Sequence, residues 1–64
     1  MREHIVIKTV DLEGREDIID LSHLGSWREV KHFAQGVRKT NHYEVVDVYE
    51  YDLFNQRMDY IESF

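Results

Sequence analysis

The 64-residue chain has no cysteine, no proline, only three glycines and one tryptophan, and no apolar run longer than Ile5-Val6-Ile7. Without cysteine there can be no disulfide and no thiolate metal site. Without proline there is no proline-marked linker and no slow isomerisation to expect. An apolar run of three residues falls far short of the roughly 20 needed to span a bilayer, and the first residues show no secretory pattern. These features lead us to expect a soluble, cytoplasmic chain with no membrane partner. At this length a single domain is the limit, and folding hides only about 60% of the surface the unfolded chain exposes. Stability is expected to be thin.

Charge is abundant but unevenly distributed. Residues 1–25 carry three basic and six acidic side chains, residues 26–41 four and one, and residues 42–64 one and six, so the segments sum to −3, +3 and −5. The middle segment is the basic one, and it also has helical spacing. Ser26 precedes Trp27, and Glu29 stands three residues after Ser26, the spacing of a capping box. Trp27, Val30, Phe33, Ala34 and Val37 then recur at steps of three and four and form one apolar stripe, while Arg28, Lys31, Gln35 and Arg38 line a polar one. Gly36 is a weak point in that helix, and it or Asn41 supplies the expected end.

On either side the period changes to that of strands. "IVIKTVDL" (5–12) and "DIIDLS" (17–22) flank "EGRE" (13–16), whose glycine suits the positive φ of a hairpin with a bulge. "HYEVVDVYEYD" (42–52) and "RMDYIES" (57–63) make a second pair about a loop at 52–56. The order is ββαββ, an α+β domain in which one helix packs on one face of an antiparallel sheet. Its expected core joins the helix stripe to Ile5, Ile7, Ile19, Leu21, Val46 and Val48. Alternation then sends Tyr43, Val45, Asp47, Tyr49 and Tyr51 to the opposite face, with Val6, Val10 and Tyr60 also left over from the core.

No constellation for catalysis emerges. His4, His23, His32 and His42 have no i/i+4 pair or zinc spacing, and Gly14, Gly25 and Gly36 form no phosphate-binding loop. Ser22-His23 and the scattered aspartates form no nucleophile elbow. We therefore expect no enzyme, no metal and no cofactor. The surface that remains is the acidic, tyrosine-bearing one: Tyr43, Tyr49, Glu50, Tyr51, Asp52, Asp59 and Tyr60 are the expected protein-binding residues, aromatic anchors with charges that steer a partner. Its carboxylates could keep an edge soluble, meet a basic partner, or stand in for the phosphates of DNA. Self-association, helix to hairpin or sheet to sheet about a dyad, would make a homodimer. The alternative is a dimeric nucleic-acid-binding regulator that places Arg28, Lys31, Arg38 and Lys39 on phosphates, opposed by the −8 sum of the remaining chain.

A strand, a glycine turn, a second strand, the capped helix "SWREVKHFAQGVRK" and the strand "YEVVDVYEYD" give a plan that resembles small accessory proteins of phages and mobile elements, among them anti-CRISPR inhibitors. The resemblance implies a stoichiometric inhibitor or adaptor that binds a host or rival protein, acting in the host cytoplasm if phage-encoded. It rests on element order and size, so no site residue is carried over from it.

Overall fold

A computed structural model describes residues 4–64. The elements are β1 (His4–Asp11), β2 (Glu16–Asp20), α1 (Trp27–Lys39), β3 (Tyr43–Asp52) and β4 (Arg57–Ser63). All neighbouring strands are antiparallel and form one sheet in the order β2-β1-β3-β4. The expected α+β, ββαββ architecture is therefore the observed one. Because β2 and β3 both run against β1, they run parallel to each other, and α1 joins them by crossing over β1. That path lays the helix on the face that carries Ile5, Ile7 and Thr9.

The core is small. Ile5, Ile7, Leu21, Val30, Ala34, Val46 and Val48 are buried together, with Leu24, Trp27, Val37, Tyr43 and Phe64 packed around them. Thr9 joins them as a buried polar residue. Two expected core members fall outside it: Ile19 is 37% and Phe33 38% exposed. Ile19 does share the helix-side face, opposite Ile7, but β2 is an edge strand and all five of its residues are exposed. Phe33 lies on the flank of the helix stripe, beyond the sheet that Val30 and Ala34 meet. A domain of this size is stable by about 3–10 kcal/mol, and truncating one buried Ile or Leu to Ala costs about 2–5 kcal/mol. Each of the few buried side chains is thus a large fraction of the total.

Local chemistry fixes the element ends. The Ser26 hydroxyl accepts from the Glu29 N–H at 3.3 Å, as the spacing predicts, but the Glu29 carboxylate turns to the Gly25 N–H at 3.2 Å rather than to the cap residue itself. The helix passes through Gly36 without a break and ends at Lys39, and Asn41 takes the left-handed conformation (φ 62°) that lets the chain turn toward β3. Arg38 reaches forward to donate to the Tyr43 carbonyl at 2.7 Å, tying that end to the sheet.

Both hairpins turn on an aspartate. Asp11 accepts the N–H groups of Glu13 and Arg15, each at 2.9 Å, and the Arg15 Nε at 2.8 Å, while Gly14 supplies φ +86°. Asp52 accepts the Phe54 and Asn55 N–H groups and the Asn55 amide at 2.8 Å. Hydrogen bonds from Arg15 hold the Asp11 carboxyl below its ordinary value of 3.8, and those from Asn55 do the same for Asp52.

Two glycines test the backbone in opposite directions. A Cβ at Gly36 meets nothing within 4 Å, so Gly36→Ala is expected to stabilise the fold by about 0.5–1 kcal/mol and raise the melting midpoint by several degrees. Gly14→Ala also has room, yet its positive φ makes the same substitution destabilising by about 1 kcal/mol. Thermal melts of the two variants should move to opposite sides of the wild type.

The turn aspartates predict acid sensitivity. A carboxyl whose folded value is lowered contributes stability that is complete above its unfolded value, near 3.8, and is lost as pH falls through the lowered value. Urea midpoints measured from pH 6 to pH 2 should therefore fall below pH 4. The decline should be shallower for Asp11→Asn, whose side chain keeps an acceptor for the turn but does not titrate. Parallel curves would show that the Asp11 charge plays no part.

Candidate functional site

The sheet separates what the linear sequence places side by side. Cross-strand partners share a face, so Val6 with Tyr49, Val10 with Val45, and Lys8 with Asp47 all lie opposite to the Ile7–Val48 pair beneath the helix. Tyr60 and Met58 extend this surface onto β4, opposite Tyr49 and Tyr51, and Ile18 extends it onto β2, opposite Lys8. No element of the described chain covers it. Ile18 is 55% and Tyr60 59% exposed, while the residues on β1 and β3 are partly shielded by one another and by side chains of the flanking strands.

At its centre Tyr49 and Tyr60 meet edge to face, ring centroids 5.8 Å apart and planes at 75°, a favoured aromatic geometry. The Ser63 hydroxyl donates to Asp47 at 2.6 Å, since a carboxylate can only accept. Ser63 Oγ is thereby left to accept the Tyr60 hydroxyl proton at 2.8 Å. This chain fixes the Tyr60 ring against the sheet and shares the Asp47 charge with two hydroxyls.

Bulges decide who belongs to this face. The β3–β4 register passes from Val48–Glu62 to Tyr49–Tyr60, leaving Ile61 as an extra residue, and this single step brings Ser63 to the same side as Tyr60. A second shift, from Val10–Val45 to Asp11–Tyr43, leaves Glu44 unpaired in register. It turns Tyr43 to the helix side, where it packs against the core instead of joining the other tyrosines as alternation predicts.

Of the seven expected binding residues, Tyr49, Tyr51 and Tyr60 share the open face. Glu50 and Asp59 are paired with each other in the parity of Val48, on the helix side. Asp59 accepts from Arg57 at 3.1 Å, and Asp52 is occupied in its turn. The expected acidic tyrosine surface is thus two surfaces back to back, tyrosines on one and most of the β3–β4 acids on the other. Lys8, Val6 and Ile18 belong to the tyrosine face as well. The sign in the sequence was the β-branched run on β1, apolar at Val6 and Val10 where a half-solvated strand would be polar.

The basic residues of α1 stand in different local settings. Arg38 is committed to the Tyr43 carbonyl, and Lys39 sits beside it in the last turn, where cations complement the helix dipole. Arg28 and Lys31 border a shallow hollow of about 340 Å3 with Trp27, His32 and Gln35. A neighbouring hollow of about 440 Å3 runs over Leu24, Glu29 and the exposed Phe33.

One grouping has the composition of a catalytic triad. Ser22 Oγ lies 3.1 Å from His4 Nδ1, and Asp20 Oδ2 lies 3.9 Å from the same nitrogen. A serine nucleophile needs the histidine's one nitrogen while the acid holds the other. Here both partners face Nδ1, so a proton taken from serine has no orienting acid behind it. The group reads as a structural tie: Ser22 Oγ also accepts the Ile5 N–H at 3.2 Å, and hydrogen bonds from Ser22 keep Asp20 below the usual carboxylate range. Among the described residues no group of three or more His, Asp or Glu side chains could hold a metal ion, and no helix is long and apolar enough to cross a membrane. Comparison with protein-family models, curated proteins and solved structures yields no match.

Proposed function

We propose that the chain is a non-enzymatic protein-binding module and that its interface is the open sheet face centred on Tyr49, Tyr51 and Tyr60. One observation carries this reading: a four-stranded sheet with apolar and aromatic side chains on both faces has a helix on only one of them. Full burial of a large apolar side chain is worth about 1.5–3 kcal/mol, and tyrosines anchored by neighbours lose little entropy when a partner closes over them. The edge-to-face pair and the Tyr60–Ser63–Asp47 chain supply such anchoring. The inhibitor or adaptor role implied by resemblance to phage and mobile-element proteins is compatible with this face. In that role the tyrosines, rather than the acids, make the contact, because Glu50 and Asp59 lie across the sheet.

Native mass measurement of the purified protein, alone and then in a lysate of the cells that produce it, tests the assignment. The wild type is expected to run above its own 7.8 kDa in at least one of the two conditions. A Tyr49→Ala/Tyr51→Ala variant with an unchanged circular dichroism spectrum should run as the single chain in both. A wild type that is a single chain everywhere, or a folded variant that associates as well as the wild type, overturns the reading.

A further inference from the structure

We infer that the occupant of the open face is a second copy of this chain, packed sheet to sheet about a dyad that lies in the interface and runs along the strands between β1 and β3. The inference rests on the reading of that face as a protein interface and names the partner.

Charge is the first argument. The middle two strands carry one cation and one carboxylate as cross-strand neighbours on this face, Lys8 on β1 and Asp47 on β3, and the Lys8 ammonium also lies 3.9 Å from Glu16 on the flanking β2. A basic partner would set its charge against Lys8, and an acidic partner would set its charge against Asp47. A copy of the same face answers both. A dyad along the strands and between them superimposes β1 of one copy on β3 of the other, so Lys8 meets the partner's Asp47, and Asp47 meets the partner's Lys8.

The register carries the match further without adjustment. Residues paired across β1 and β3 in one chain become facing residues in the dimer, which sets Tyr49 over the partner's Val6 and Val45 over the partner's Val10. Apolar meets apolar on both sides of the charged pair. On the flanks β4 covers β2, and Tyr60, level with Tyr49 and Val6, comes opposite the partner's Asp20. Packed sheets stand about 10 Å apart, a gap that these side chains fill.

Area is the second argument. Three of the four strands are seven to ten residues long, and adjacent strands stand about 4.8 Å apart, so the open face is about 30 Å long and, with its side chains, about 20 Å wide. Its footprint is of the order of the roughly 800 Å2 per partner of a standard stable interface. The total accessible surface is 4689 Å2, so such a contact hides a substantial part of it. For a chain of this size with so few buried side chains, a second copy is a recognised route to a sufficient core.

Complementary charge reversal distinguishes this arrangement from any other. In sedimentation at about 100 µM the wild type is expected at twice 7.8 kDa. Lys8→Glu alone gathers four acids at the dyad and Asp47→Lys alone four bases, so each should weaken self-association at least about a hundredfold. An equimolar mixture of the two should restore a 1:1 dimer. Tyr49→Ala, which leaves the charges and the buried core in place, should weaken the wild-type dimer at least about tenfold. A wild type that sediments as a single chain overturns the inference, as do single-charge variants that dimerise like the wild type or a mixture that stays monomeric although both chains are folded. A wild type that is monomeric when pure yet captured in lysate through Tyr49 and Tyr51 assigns the face to a different protein and leaves the module reading standing. A wild type that is monomeric in both conditions removes both.

Discussion

The pairing of β1 with β3 is the contact on which the other parts depend. Each of these strands is one arm of a hairpin, and a two-stranded hairpin alone is marginal in water. Joined in register from His4–Tyr51 to Asp11–Tyr43, they make a four-stranded sheet whose two middle strands hold Ile5, Ile7, Val46 and Val48 in one patch. That patch is what α1 covers. The crossover from β2 to β3 has to pass over β1, so the same pairing that creates the patch dictates where the helix lies. Trp27 and Val37 then close its two ends, and Arg38 ties the helix terminus to the first residue of β3.

Much of this was legible in the sequence because local chemistry and long-range packing agree. Ser26 and Glu29 mark the helix start and Gly14 the first hairpin, while of the two expected helix ends Gly36 is passed through and Asn41 takes the positive φ of the exit. Periodicity identified the apolar face of each element but not how far that face is covered. Ile19 points the right way on β2, yet an edge strand lies beyond the helix's reach. Phe33 shows the same limit from the helix side. The bulges were illegible for a different reason. One extra residue at Glu44 or Ile61 changes no composition and breaks no run of β-formers, but it exchanges the faces of everything beyond it. Hence alternation sends Tyr43 to the open face although it packs against the core, while Ser63 joins Asp47 and Tyr60 on the open side. The separation of Glu50 and Asp59 from the tyrosines needed only strict alternation, which a reading by local density of acids and aromatics overlooks.

The net charge of −5 has an architectural meaning once the acids are placed. Three aspartates are spent on backbone: Asp11 and Asp52 fold their hairpin turns, and Asp20 holds Ser22, which in turn binds the Ile5 N–H. These replace the glycine-rich turns and prolines that the chain lacks. In a domain without disulfides the hairpin ends would otherwise be the first to open, since loop tips and termini have the fewest buried contacts. The basic residues of α1 are similarly occupied in part, with Arg38 closing the helix and Lys39 beside it.

The remaining acids bear on how the molecule associates. An open sheet has two ways to recruit another chain, through its edges or through its face. Both edge strands carry charge: β2 has Glu16 and Asp20 on one side and Asp17 on the other, and β4 has Arg57, Asp59 and Glu62 on its helix side. Edge-to-edge pairing of copies through β2 would bring these like charges directly across from one another, which is how natural sheets discourage such growth. The face carries a different composition, with Val6, Val10, Val45, Tyr49 and Tyr51 on the two middle strands and one balanced Lys8–Asp47 pair among them. Charged edges beside an apolar face are what the proposed face-to-face contact requires. In the proposed pair the two faces cover each other and leave no second apolar sheet surface for a third copy.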